Sequence, residues 1–119
     1  INLGIPASVT FIGKCAFNKC SSLKSVSIPS SITLVNDQLF CDCSSLLNVT
    51  IPSSITSIGK KAFYKCISLT QILIPQSVKS IHPYAFAGCS SLGKITIPSA
   101  IAENTQLFGI NPNVKIDII

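Results

Sequence analysis

AFNKCSSLKSVSIPSSIT, from Ala16 to Thr33, is spelled again with small changes as AFYKCISLTQILIPQSVK, from Ala62 to Lys79. It returns once more as AFAGCSSLGKITIPSAIA, from Ala85 to Ala102. The interval between copies decides the fold. Pro6, Pro29, Pro52, Pro75 and Pro98 recur every 23 residues. The series Phe17, Phe40, Phe63, Phe86 keeps the same interval, as do Cys20, Cys43, Cys66, Cys89 and Leu23, Leu46, Leu69, Leu92. One period shared by four residue types is the mark of coils stacked along an axis.

Each unit has two parts. Leu23-x-x-Val26-x-Ile28 alternates, so it reads as a short strand with Val26 and Ile28 turned inward and Pro29 ending it. The later copies are Leu46, Val49, Ile51, then Leu69, Ile72, Ile74, then Leu92, Ile95, Ile97. The second part, Ile55-x-x-Ile58 followed by Ala62-Phe63-x-x-Cys66, changes rhythm. It begins as a short extended piece, and its end has the spacing of one helical turn. A single coil cannot bury its apolar side chains alone. Stacking covers both faces of every inner coil and adds strand-to-strand hydrogen bonds, with strands in parallel at ~4.8 Å. The predicted fold is therefore a repeat solenoid over residues 1–119. A parallel β-sheet forms one face, with short helical turns or short strands on the other.

Composition narrows the function. Apolar residues make up 47% and charged residues 11%, which excludes a disordered chain. The net charge of +5 comes entirely from nine lysines. Nucleic-acid recognition leans on the planar arginine fork, and no arginine is present. No nucleic-acid partner is expected. No apolar run approaches the roughly 18 residues that span a bilayer, so no direct membrane insertion is expected either. Ile1 enters in mid-pattern and no methionine occurs, which suggests a processed or excised piece.

IPSSITSIGKKAFYKCISL, from Ile51 to Leu69, resembles the repeat of BspA-like leucine-rich repeat proteins. The similarity runs over residues 1–97. The resemblance implies a right-handed solenoid and a protein-binding, adhesive role on a cell surface, toward host proteins, extracellular matrix or other cells. It brings no catalytic residue, no cofactor and no small-molecule substrate.

Residues 1–5 read as the end of a preceding repeat, 6–97 as four full repeats, and 98–119 as a degenerate repeat that caps the array. In that last stretch Phe108 and Val114 keep the six-residue Phe-to-Leu spacing, and Val114, Ile116 and Ile118 alternate like a final strand. Terminal repeats are atypical in such arrays. No matching cap stands at the other end. The face of the first coil should be apolar and bare, and open to end-to-end association or to further coils.

Six cysteines invite a metal or disulfide reading. Four form the 23-residue ladder, whose side chains point the same way, so each is expected as a buried thiol bonding a carbonyl of its own coil. Cys15 and Cys41 lie outside the ladder, on adjacent coils at unequal positions, which disfavours a bridge. Cys41-Asp42-Cys43 has the look of a metal or redox pair, but no second pair or nearby histidine supports zinc. A thiol enzyme would rest on Cys41 alone. The single histidine, His82, shares its repeat position with Gly13, Asn36 and Gly59, types that tolerate positive φ, and reads as a turn residue. No partner carboxylate lies in its coil, so no enzyme is expected.

Two charged rows, Lys14, Asp37, Lys60 and Lys19, Asp42, Lys65, place an acid between lysines. They read as a salt-bridged rib on the turn side, where Tyr64 and Tyr84 also belong. The strand face presents Ser25, Asn48, Gln71 and Lys94 in one row and Ser27, Thr50, Leu73 and Thr96 in the next. A third row, beyond the prolines, is Ser30, Ser53, Gln76, Ser99. The first two rows are the candidate partner-binding surface. Small polar side chains suit broad, multivalent contact better than a deep pocket. Asn48-Val49-Thr50 also matches an N-glycosylation sequon, and a glycan there would obstruct the strand face of coil two. The location this implies is extracellular or cell-surface, with an intracellular, cytoplasmic scaffold of the same architecture as the alternative.

Overall fold

A computed structural model describes residues 2–119; Ile1 lies outside them. The chain winds as a parallel solenoid of 35 × 27 × 19 Å. Its elements, in order, are β1 (Asn2–Gly4), β2 (Ser25–Ser27), β3 (Leu34–Val35), β4 (Asn48–Thr50) and β5 (Ser57–Ile58). Then come β6 (Gln71–Leu73), β7 (Ser80–Ile81), β8 (Lys94–Ile97), α1 (Ser99–Ala102) and β9 (Lys115–Ile118). All pairings are parallel. β1, β2 and β4 form one sheet, β6, β8 and β9 a second, and β3, β5 and β7 a third on the opposite wall. Val26 pairs with Val49 and Ile72 with Ile95, each one period apart, as stacking requires.

The core consists of columns. Phe40, Phe63 and Phe86 are fully buried, and the rings from Phe17 to Phe86 stack with centroids 5.6, 5.4 and 5.2 Å apart. Leu46, Leu69 and Leu92 form a second buried column, and Ile28, Ile51, Ile74 and Ile97 a third. Serine hydroxyls stitch the coils together: Ser54 donates to the Ile32 carbonyl at 2.6 Å and Ser77 to that of Ile55 at 2.6 Å. Asn36, the one buried polar residue among those described, donates through Nδ2 to the Ile12 carbonyl at 2.9 Å.

The turn wall is not helical. Lys61 and Lys65 have φ of 56° and 57°, and the same positions in coils one and two, Cys15, Lys19, Gln38 and Asp42, are also left-handed. These residues keep the Ala-Phe-x-x-Cys stretch a run of turns, beside the short strands β3, β5 and β7 that are the other expectation for this wall. Alternate amides then serve alternate purposes. Ala62, Tyr64 and Cys66 donate within their coil to the carbonyls of Gly59, Lys61 and Phe63. Phe63 and Lys65 donate across to Ala85 and Ala87 of the next coil, at 2.8 and 2.9 Å. A continuous helix would spend all these amides on itself and leave the coils unjoined.

The expected positive φ at Gly13, Asn36, Gly59 and His82 is not there; it falls two and six positions later. Gly59 is needed for closeness instead. A Cβ on it would meet Asp37 Oδ1 and lie 2.8 Å from the Asp37 backbone nitrogen. His82 Nδ1 accepts the Tyr84 amide at 3.2 Å. Phe108 also departs from expectation. It leaves the phenylalanine column, stays half-exposed and packs on Tyr84 at 5.4 Å, while Leu107 packs against the core. The last coil is two residues short, so that Lys115 pairs with Lys94, and this shifts its side chains out of the column.

Candidate functional site

All eight predicted strand-face residues lie on strands of the same wall. Ser25 and Ser27 are on β2, Asn48 and Thr50 on β4, Gln71 and Leu73 on β6, and Lys94 and Thr96 on β8. Their inward neighbours Val26, Ile72 and Ile95 are buried, which fixes the outward direction of the rest. Leu73 stands 60% exposed, the only large apolar side chain in these two rows. Ser30, Ser53, Gln76 and Ser99 are exposed beyond them.

The rows are not a continuous sheet. No hydrogen bond joins β4 to β6 among the described residues. Elsewhere the amide at the end of one strand reaches the next coil, as Ile28 does to Thr50 at 3.1 Å and Ile74 to Thr96 at 2.8 Å. Likewise the Asn48 amide reaches the Lys24 carbonyl at 3.2 Å. At the step from coil two to coil three these bonds are missing. The opposite wall holds: Gln38, Phe40 and Asp42 donate to Lys60, Ala62 and Tyr64 at 2.7–2.9 Å, and β3 pairs with β5. The two coils are thus hinged at the turn wall and parted at the strand wall. The gap is a groove of about 360 Å³ lined by β4 and β6, with Lys94 and Thr96 at its far edge. Val49 is only half-buried there, unlike Val26. The sequence carries no signal for this break, because Val49 and Ile72 look like every other inward pair.

The charges sort differently from the expected rib. Lys14 meets Asp37 at 3.8 Å, and Asp37 Oδ1 accepts the Lys60 amide, not its ammonium. The row of Lys19, Asp42 and Lys65 forms no ion pair; its side chains spring from left-handed backbone, and Lys61 and Lys65 turn instead over the Tyr64 ring at 4.8 and 5.3 Å. A missed cluster lies on the strand wall. Asp117 bridges Lys94 at 3.2 Å and Lys115 at 3.7 Å, and bonding to Lys94 holds its carboxyl below the usual range. The two-residue shortening of the last coil sets Lys115 opposite Lys94 and Asp117 opposite Thr96, so Asp117 reaches Lys94 diagonally and Lys115 along its own strand.

All six cysteines are free. The ladder thiols bond carbonyls, but of the preceding coil: Cys43 to Phe17, Cys66 to Phe40 and Cys89 to Phe63, at 3.1, 3.2 and 3.0 Å. The side chain spans the coil step because the stack brings the phenylalanine carbonyl of the coil below under each sulfur. Burial pushes the Cys43 thiol up to about 11, and the adjacent Cys89 thiol together with burial raises Cys66. Burial and the Asp42 charge raise Cys41. Cys41 and Cys43 do not converge on a metal: no group of three or more ligating side chains gathers among the described residues. In native protein at pH 8, a disulfide-exchange dye should therefore titrate about two thiols quickly, Cys15 and Cys20, and the remainder only with denaturant. Rapid reaction of Cys43 or Cys66 would contradict this burial.

At the first coil, Leu3, Phe17, Cys20, Ser21, Ser22 and Leu23 line an open hollow of about 360 Å³. Phe17 and Cys20 are partly exposed there, where their equivalents further along are buried. At the last coil Ile116 and Ile118 are exposed as well. No helix among those described is long and apolar enough to cross a membrane.

The model of the BspA type leucine-rich repeat region matches residues 1–112 in six copies. This chain belongs to that family. Solved structures of bacterial leucine-rich repeat proteins share the fold. A leucine-rich cell surface protein from Faecalibacterium prausnitzii is 31% identical, with a TM-score of 0.78 over 98% of this chain and 31% of its own. A leucine-rich repeat protein from Bacteroides capillosus is 28% identical, with a TM-score of 0.69 over 79% of this chain and 74% of its own. The pneumococcal vaccine antigen PcpA, at 23% identity, shares the fold, with a TM-score of 0.81 over 98% of this chain and 30% of its own. The chain thus spans about a third of the length of two of these proteins. No curated protein sequence matches it. Family and neighbours make it a protein-interaction repeat module.

Proposed function

We propose that this solenoid is a non-enzymatic recognition or adhesion module of a cell surface. It contacts host or matrix proteins, or other cells, through its strand wall. The observation that carries this reading is the wall itself. Two outward rows, uncharged and polar but for Lys94, carry one exposed leucine, Leu73, along successive coils. Arginine and tryptophan anchors are missing from the chain, so affinity comes from area and from repetition along the array. The likeness to a protein described as a cell surface protein supports the location. A glycan on the exposed Asn48 would move contact away from coil two.

The second reading is a scaffold inside a reducing compartment, favoured by the six free thiols. Binding separates the two. The chain should be retained on intact cells or immobilised matrix proteins, and Gln71→Glu with Leu73→Glu should weaken that retention about tenfold or more, by placing two desolvated charges in the contact. Both positions are exposed, so the fold should keep its circular dichroism. Undiminished binding by the double variant would exclude the strand wall as the contact surface.

A further inference from the structure

The seam between β4 and β6 has properties that no other step of the strand wall shares. The bonds made by Ile28, Asn48 and Ile74 to neighbouring coils have no counterpart here. Ile51 and Gln71 therefore turn amides, and Leu47 and Leu73 turn carbonyls, toward the gap without a partner strand. Strand edges of this kind are templates for another main chain. The side chains beside them fit the same purpose. Asn48 and Gln71 are exposed neighbours in one row, and neither side-chain amide is bonded, whereas Ser25 in the same row bonds Asn2 at 2.6 Å. Each carboxamide can donate and accept together, which matches the alternating N–H and C=O of an extended peptide.

The groove selects against other ligands. Its single charge, Lys94, is already neutralised by Asp117 at 3.2 Å, so an anion finds no free cation. No aromatic ring lines it for a sugar to stack on. The exposed Leu73 is an apolar spot beside the polar groups. The gap is too narrow for a whole strand to enter in plane, since that needs two steps of ~4.8 Å between flanking strands, and β4 and β6 keep Cα atoms within 8 Å.

We propose that the seam between β4 and β6 binds an extended, uncharged segment of a partner polypeptide lying along the groove. Its main chain bonds the exposed Asn48 and Gln71 carboxamides that stand beside the gap, and an aliphatic side chain rests on Leu73. This rests on the strand wall being the recognition surface, and it names what that surface recognises.

Two measurements on the whole chain, produced without glycosylation, test it. In hydrogen exchange, the Ile51 and Gln71 amides should exchange about tenfold or more faster than those of Ile28 and Ile74, which are bonded to the next coil. Equal protection would mean a closed seam and overturn the proposal. In the second, peptides selected from a random linear library should perturb the amide resonances of residues 48–51 and 71–73. They should bind about tenfold more weakly to the Asn48→Ala, Gln71→Ala double variant, and Lys79→Ala, at an exposed position beside β7 on the opposite wall, should change nothing. Selected peptides that map elsewhere would overturn the seam. So would a library that yields no binder while a folded matrix protein is still retained in a Gln71- and Leu73-dependent manner. In that last case the strand-wall reading stands and the peptide does not. Loss of both kinds of binding removes the two together.

Discussion

Replacing Phe63 by alanine should lower the unfolding free energy by about 3–5 kcal/mol, the range for deleting a fully buried aromatic ring. Phe63 has no exposed surface and lies between two rings, Phe40 at 5.4 Å and Phe86 at 5.2 Å. The substitution opens a cavity that neither neighbour can fill, because each is held by its own coil, and it removes two ring contacts worth about 0.5–1.5 kcal/mol each. The melting temperature should fall by roughly 10–20 °C for a chain of this size. Phe11→Ala is the control. That ring is 71% exposed, and its loss should change stability by less than about 0.5 kcal/mol. Similar melting of the two variants would mean that the phenylalanines do not form a load-carrying column, and the stacked-coil account would fail with it.

Gly59→Ala should destabilise by about 1–3 kcal/mol, although it adds only one carbon. The added Cβ would lie 2.8 Å from the Asp37 backbone nitrogen, and backbone cannot swing aside as a side chain can. Relief requires coils two and three to separate at the hinge wall. That strains the Gly59 amide bond to Val35 at 2.8 Å and the Lys60 amide bond to Asp37 Oδ1 at 2.9 Å. The effect therefore comes from coil-to-coil distance, with no part played by φ. Gly4→Ala, where nothing stands within 4 Å, should leave the melting temperature unchanged. If Gly59→Ala matched it, the close approach of the coils at this wall would be refuted.

The expectation that phenylalanines, leucines and ladder cysteines are core needed nothing beyond periodicity. Residues one period apart must occupy equal environments wherever coils stack, so Phe40, Phe63 and Phe86 were assigned together. The same logic failed at Phe108, where the last coil is two residues short and the period no longer applies. It left Ala62 to Cys66 open between a turn and a short helix. The spacing of a helical turn and that of a run of tight turns are the same, and only the φ of Lys61 and Lys65 tells them apart. Lysine and glutamine carry no sequence mark of a left-handed backbone. The glycine and asparagine row that seemed to carry one is explained by close approach at Gly59.

Repetition by itself determined the parallel stack, its buried columns and the rows that face outward, because one small coil can hide its apolar side chains only against a copy of itself. The hydrogen bonds between coils were left to tertiary structure. Three-dimensional packing decided that thiols and serines reach into the adjacent coil, that Lys115 and not Asp117 stands opposite Lys94, and that the strand wall parts between Thr50 and Gln71. A repeating sequence specifies what each coil would do next to an average neighbour. Whether two particular neighbours close or splay depends on the balance of contacts at both walls at once, and no single repeat position records that balance.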